Sequence, residues 1–573
     1  MSFRISSVFR PNFFKLFKKG KYNKETFLSD VVSGVIVGIV ALPLAIAFGI
    51  ASGVTPHQGL ITAVIAGFLI SFLGGTNYLI GGPTGAFIVI VAGIVSQYGM
   101  QGLIISTVMA GIILIIMGVF KLGTLIKFIP YPIIVGFTSG ISVVIFSTQI
   151  KDFLGMSIDN VPSEFLGKWG SYFSNLSSIS LTETLMSICC LMIIIFWPKI
   201  NKKIPGSLIA IIFGTIVSLL LSRLAGINFA TIGSKFPELA GGISIPQPVA
   251  PKINFVTAKN LVQPAFTIAI LCAIESLLAA MVADGVTGKR HNSNTELIGE
   301  GITNIIVPLF GGIPATGAIA RTMTNINNGG KTPVAGIIHS IVLLLIFLFL
   351  MPYAVYIPLS CLAAILVMVA YNMSEWRTFK YLLKADFADV IVLLITFFLT
   401  VLIDLTVAIE VGLVMAIILF VKRVSETSKI TVLEQDFIAG TENDEKAQLA
   451  DTEHFNIPIG VEIFEIDGPF FFGQAIKLDE LDREQKNKPS VRILRMRKVP
   501  FIDSTGLNNL RNLCKRSKKE NIKVILSGVN DNVYASLEKI GLLDELGRDF
   551  VHSHIISAMA KATEIIENQK LNK

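Results

Sequence analysis

Gly81-Gly82-Pro83-Thr84-Gly85-Ala86 and Gly311-Gly312-Ile313-Pro314-Ala315-Thr316-Gly317-Ala318 nearly repeat one another, and each interrupts an otherwise apolar run. Glycine and proline open the backbone, and a helix that starts after such a break presents unpaired N–H groups at its first turn. Those groups carry partial positive charge. Two such ends facing one another inside a bilayer make a site for an anion. Matched Gly/Pro breaks in the two halves of a membrane domain point to the binding site of a carrier. The plainer alternative is a pair of turns between membrane helices. Recurrence of the same residues in the same order in both halves favours the first reading.

Composition agrees with a lipid setting. The chain of 573 residues is 52% hydrophobic and 15% charged, with a mean hydropathy of +0.68; soluble proteins are about 25% charged. Charge is scarce up to about Arg423 and dense afterwards, which marks a domain boundary. The net charge of +8 sits largely in loops and in the stretch from Arg4 to Lys24, so it does not read as a nucleic-acid footprint. Residues 1–26 are basic and broken by polar positions, and no cleavable signal peptide is expected there. Cys189, Cys190, Cys272, Cys361 and Cys514 lack metal-ligand spacing and read as packing residues, not a disulfide framework. No His/Cys/Asp cluster, Ser-His-Asp set or phosphate-binding loop is present in the pattern, so no metal, cofactor or enzymatic activity is expected.

The apolar runs give about fourteen membrane segments. Twelve are of spanning length: 31–52, 57–74, 101–120, 130–148, 181–198, 204–224, 264–284, 292–309, 333–351, 357–372, 386–404 and 405–423. The third and tenth, 84–97 and 315–328, are too short to span, and they are the two that follow the breaks. Seven plus seven is an inverted repeat, because seven is odd. The clusters Lys121/Lys127, Lys199/Lys202/Lys203, Lys289/Arg290 and Arg377/Lys380/Lys384 fall on the side of the basic N-terminus. Positive loops face the cytoplasm, so both termini are expected there. The organisation expected is an N-terminal segment 1–25, a transport domain 26–424, a linker 425–456 and a soluble α/β domain 457–573. In that last part 461–466, 491–496 and 523–528 alternate as strands. Helices are expected near 475–485, 505–519 and 531–540. Asp503-Ser504-Thr505-Gly506 hands a strand over to a helix, where Ser504 or Thr505 can cap.

Further motifs carry a family resemblance: Ala41-Leu42-Pro43-Leu44-Ala45-Ile46-Ala47-Phe48-Gly49, Gln149-Ile150-Lys151-Asp152-Phe153-Leu154-Gly155, Ile274-Glu275-Ser276-Leu277-Leu278, Ala320-Arg321-Thr322 and Tyr371-Asn372-Met373-Ser374-Glu375. With the first break they resemble a bacterial member of the SulP sulfate-permease family, most similar to its C4-dicarboxylate branch and next to its sodium-dependent bicarbonate branch. The tail resembles a STAS domain through its Asp503-Ser504-Thr505-Gly506 turn. The resemblance implies a fourteen-segment inverted repeat with a gate and a core, a homodimer, and elevator-like movement in the bacterial cytoplasmic membrane. It also implies anion transport.

Several residues are read on both grounds. Glu275 lies mid-segment, where an ionised acid costs about 2.5–3.5 kcal/mol on insertion scales unless it faces a polar cavity. It is either a hydrogen-bonded structural carboxylate or a coupling group that takes a proton as the anion enters. In the bicarbonate branch the matching acid is an aspartate that helps bind sodium with a threonine four residues on. Here Ala279 holds that place and Ile319 replaces a second threonine, so protons are the better expectation. Arg321, an intramembrane cation, either faces the anion or pairs with an acid such as Glu275. Thr84, Gly85, Ala86, Gly317 and Ala318 offer backbone N–H groups, and Thr84 also a hydroxyl. Phe48 either lines the pocket, as in relatives, or packs between helices. Leu44 stands where some relatives carry a polar group. Ser504 and Thr505 match a turn phosphorylated in anti-sigma-antagonist relatives of the STAS domain, which would imply a cytoplasmic protein partner. An anion channel on the same fold and a STAS-based membrane sensor or scaffold remain the competing readings.

Overall fold

A computed structural model describes residues 9–17, 22–124, 130–158, 161–162, 164–201, 204–237, 259–403, 405–433, 457–471, 473, 477–478 and 488–571. Lys127, Lys202, Lys203, most of the expected linker and most of the expected helix at 475–485 lie outside them. The chain divides into two units, Met1–Ala416 and Ile417–Lys573.

The first unit is helical. A short α1 (Asn12–Phe17) precedes α2 (Lys24–Ala51) and α3 (Pro56–Leu73); strand β1 (Gly81–Gly82) then leads into α4 (Phe87–Val119). Next come α5 (Tyr131–Leu154), α6 (Phe165–Ser174), α7 (Leu181–Ile200), α8 (Gly206–Ala225), α9 (Ile232–Lys235), α10 (Val262–Thr287) and α11 (Ser293–Leu309). Strand β2 (Thr316–Gly317) opens the last stretch, α12 (Ile319–Asn327), α13 (Val334–Ala354), α14 (Leu359–Met373), α15 (Trp376–Leu382), α16 (Phe387–Leu402) and α17 (Leu405–Thr427). Among the described residues, nine helices are long and apolar enough to cross a membrane.

Helix α4 breaks at Gly99, whose φ is +65°, so it supplies a short segment and a full one. Segments and strands then repeat in order: the third of each seven follows a two-residue strand. Local signals place the starts. Asn23 accepts from the Thr26 N–H at 2.8 Å to cap α2, Thr55 and Gln58 form a capping box with Pro56 in the first turn of α3, and Asn292 caps α11.

The helices sort into two packed sets. α2–α4 pack with α10–α13, and α5, α7 and α8 pack with α14 and α16. Each set draws on both halves, as a pseudo-twofold repeat requires. Small residues bring α4 and α11 together: a Cβ on Gly111 would stand 2.6 Å from the Gly301 carbonyl, and one on Gly301 2.6 Å from that of Gly111. Lipid gives no hydrophobic drive between helices, so this close backbone approach supplies the contact.

The second unit holds a five-stranded sheet in the order β3-β4-β5-β6-β7. Its strands are β3 (Lys429–Leu433), β4 (Val461–Asp467), β5 (Val491–Lys498), β6 (Lys523–Ser527) and β7 (Val551–His552). β3 is antiparallel to β4, and the rest run parallel. Helices α18 (Ser504–Lys519), α19 (Asp531–Lys539), α20 (Leu542–Leu546) and α21 (Ile555–Leu571) cover it. Both faces are buried: Phe464, Leu494 and Leu526 pack with Leu510 and Leu513 on one side, and Ile463, Ile493 and Ile525 with Ala558 and Ala562 on the other.

Two sequence expectations need correction here. The linker expected over 425–456 contains β3, whose Ile430 and Val432 pack on the sheet core; only 434–456 lies outside the described residues. The cap of α18 is Asp503, accepting from the Gly506 N–H at 2.6 Å. Ser504 and Thr505 are its first, exposed residues. The carboxylate wins because it sits one residue earlier, in extended backbone, where an N-cap side chain reaches back to the third N–H.

Candidate functional site

The two breaks meet. β1 and β2 pair antiparallel, Gly81 opposite Gly317 and Gly82 opposite Thr316, so α4 and α12 start on either side of one two-residue ladder. α12 then holds the opposite break through its side chains. Thr322 Oγ1 accepts from the Ile80 N–H at 3.2 Å, and Asn325 Nδ2 donates to the Tyr78 carbonyl at 2.9 Å. Arg321 donates through Nη2 to the Pro83 carbonyl at 2.6 Å and through Nη1 to the Gly81 carbonyl at 3.4 Å. Arg321 is 2% exposed and meets no carboxylate within salt-bridge range among the described residues. Its partner is the opposite break, not Glu275.

α10 supplies the adjoining wall. Thr84 Oγ1 donates to Glu275 Oε2 at 2.7 Å. The next residue, Ser276, receives the Gly317 N–H at 2.7 Å, contacts Thr316 Oγ1 at 2.8 Å and donates to Glu300 on α11. One turn earlier, the Cys272 carbonyl accepts from Thr316 Oγ1 at 3.1 Å. Both breaks are therefore clamped to one helix.

A cavity of about 530 Å³ opens between the two helical sets. Phe48, Thr84, Gly85, Glu275, Gly317, Ala318 and Arg321 line it, with Leu44 beside Phe48 and Met368 and Val369 of α14 opposite. Ala86 is fully buried behind that wall. Backbone donors are distributed differently from the expectation. The Gly317 N–H is held by the Ser276 hydroxyl, and that of Ala318 by the Ile80 carbonyl at 2.9 Å beside the strand ladder. The N–H groups of Thr84, Gly85 and Ala86, and of Ile319, Ala320 and Arg321, have no acceptor among the described residues. The cationic end of α12 thus lies one to three residues further on than the break itself.

Sequence reading missed Glu296 and Glu300, both fully buried. Glu296 accepts from the Gly75 N–H and Thr76 Oγ1, each at 2.8 Å. With Asn304, which exchanges two hydrogen bonds with Ala315 at 2.8 and 2.9 Å, they form a polar stripe at i, i+4 and i+8. That helical spacing inside an apolar run was the available signal.

Paired half-helices in an inverted repeat define a polytopic membrane transporter fold. Comparison with known proteins gives the family. Residues 27–396 match the sulfate permease family and residues 455–562 the STAS domain. The chain is 40% identical to the putative sulfate transporter YvdB of Bacillus subtilis (strain 168), over 93% of this chain and 97% of that protein. It is 30% identical to the bicarbonate transporter BicA of Picosynechococcus sp., over 87% and 88% respectively. The structure of the murine Slc26a9 anion transporter superposes with a TM-score of 0.85 at 18% identity, covering 98% of this chain and 94% of that one, and so shares the fold. The chain belongs to the sulfate permease family. It is a multi-pass membrane transporter of anions and not an enzyme.

Proposed function

We propose that the chain carries out secondary active, proton-coupled symport of a small anion by elevator-like alternating access, with the anion held between the starts of α4 and α12. The observation that carries this reading is Arg321: a fully buried guanidinium without a carboxylate partner, beside a cavity into which two sets of unpaired N–H groups open. A buried charge is costly unless it is compensated, and a bound anion compensates it. Phe48 closes one side of the site, and Thr84 and Gly85 supply donors from the start of α4, with Ala86 behind them. Glu275, tied to Thr84, is the coupling group. Proton uptake by Glu275 lets an anion and an acid share one cavity without like-charge repulsion.

Sodium coupling has weaker support, because Ala279 and Ile319 place hydrocarbon where sodium needs oxygen ligands. The named activities of relatives suggest sulfate or bicarbonate, and the resemblance in sequence adds C4-dicarboxylates. The two packed sets of helices supply a moving and a fixed body on either side of the cavity. The proposed setting is a homodimer in the bacterial cytoplasmic membrane with both termini cytoplasmic. The STAS domain then meets a cytoplasmic protein partner, and Ser504 or Thr505 is available for phosphorylation. The proposed division is 1–25, 26–424, a connection, and the STAS domain, with β3 joined to the last.

Uptake of radiolabelled sulfate, bicarbonate and succinate into proteoliposomes under imposed proton or sodium gradients tests the reading. Concentrative uptake of one of them driven by protons is the expected result. Flux that only follows the anion's own gradient would identify a channel, and sodium dependence would overturn the coupling assignment.

A further inference from the structure

A second cavity, of about 270 Å³, lies along the same α2–α14 seam as the first. Ala47, Ile50 and Ala51 line it where Leu44 and Phe48 line the central cavity, and Leu359 and Leu362 line it where Met368 and Val369 line the other. The two linings adjoin on both helices, Ala47 beside Phe48 on α2 and Leu366 beside Ile365 on α14. Its remaining wall is largely cationic: Lys151 from α5, Lys168 from α6 and Lys235 from α9, against one carboxylate among the described residues, Asp152.

The three lysines are not equally satisfied. Lys151 donates to the Ile158 carbonyl. Lys235 makes a loose pair with Asp152 at 3.9 Å. Lys168 is 8% exposed, and its ammonium has no hydrogen-bond or ion-pair partner among the described residues. Burial draws its pKa below the ordinary lysine value, which is the cost of holding it there without a partner. Its position is fixed. Lys168 and Tyr172 share one face of α6 at i, i+4; the Tyr172 hydroxyl donates to the Ser147 carbonyl at 2.9 Å, and Trp169 Nε1 to Ser147 Oγ at 3.1 Å. Thr148 and Gln149 add neutral polar groups to the lining.

We infer that this cavity is a second anion-binding site, an antechamber on the face away from the basic loops that takes a small divalent oxyanion or dicarboxylate before it reaches the central site. Among the described residues, three ammonium groups face one carboxylate, a balance that a dianion neutralises, and the volume admits a sulfate-sized ligand. The Lys168 ammonium, left without an acceptor among the described residues, donates to the bound anion. The antechamber role rests on the orientation and the central site proposed above; binding at the cavity does not.

Equilibrium binding of radiolabelled sulfate to the full-length chain in neutral-lipid nanodiscs separates the two. Lys168→Gln is expected to weaken one salt-sensitive component roughly tenfold, the loss of one charge-assisted contact, while Lys168→Arg restores it. Arg321→Gln is expected to leave that component in place. An unchanged sulfate isotherm in Lys168→Gln would overturn the second site, even if Arg321→Gln abolished binding and so upheld the central one. Loss of the Lys168-dependent component in both variants would mean a single site and overturn it too, as would absence of sulfate binding by the wild type. Equal melting temperatures of the three variants show that the comparison is between folded proteins.

Discussion

Arg321 shows how one residue's surroundings decide its role. Its guanidinium fills the space beside Gly82, whose φ of +153° already favours glycine. A Cβ there would stand 2.0 Å from Arg321 Nη1. Gly82→Ala must therefore displace the arginine or bend β1, and sulfate affinity is expected to fall about tenfold or more; an unchanged binding isotherm would show that the guanidinium does not serve the anion. Glu275→Gln keeps an acceptor for Thr84 but cannot take up a proton. Proton-driven accumulation in proteoliposomes is expected to vanish while sulfate binding persists, and full accumulation by this variant would remove Glu275 from the coupling role. Both residues were legible in the sequence because a charge in an apolar segment stands out. What Arg321 bonds was not, since a backbone carbonyl on the far half of the chain leaves no mark in sequence. The same limit explains Gly317 and Ala318: as break residues they were expected to offer N–H groups, yet Ser276 and the Ile80 carbonyl use those groups.

At the scale of elements, the Gly/Pro punctuation was enough to locate both half-helices within a few residues, and the antiparallel β1–β2 ladder explains why they face one another. Gly317 faces Leu79, whose side chain a Cβ would meet at 2.7 Å. Gly317→Asp would force a carboxylate against Leu79 and push that ladder apart, so sulfate binding is expected to be lost at neutral pH; retained affinity would place the anion elsewhere. In the STAS domain the cap of α18 was misassigned by one residue, a distance that matters for chemistry. Asp503→Ala is expected to cost about 0.5–2 kcal/mol of that domain's stability, measured from its unfolding transition in denaturant. Ser504→Ala and Thr505→Ala should leave it nearly unchanged, because exposed first-turn hydroxyls hold no backbone donor there. A loss on Ser504→Ala comparable to that on Asp503→Ala would reverse the assignment.

For the whole molecule, the switch from sparse to dense charge near Arg423 falls within a few residues of the division between the two compact units at Ala416 and Ile417, but it put the first strand of the soluble sheet inside a linker. Lys429–Leu433 is short, and its alternation of Ile430 and Val432 is too brief to distinguish from a loop without the partner strand β4, which lies some thirty residues away. The consequence concerns truncation. All the proposed anion-site residues precede α17, so the transport unit should bind sulfate without the STAS domain. A chain ending at about residue 440 would keep β3 and strip it of β4, leaving an unpaired edge with two apolar side chains, and such edges promote association between chains. A chain ending at Thr427 carries no such strand. Sulfate binding close to that of the full-length protein is expected for both, with the chain that keeps β3 forming higher-order species on size-exclusion chromatography and the chain ending at Thr427 remaining uniform. If the Thr427 truncation is folded and uniform yet binds no sulfate, the anion site depends on the STAS domain, and the separation of roles argued from Arg321 and the paired breaks is wrong.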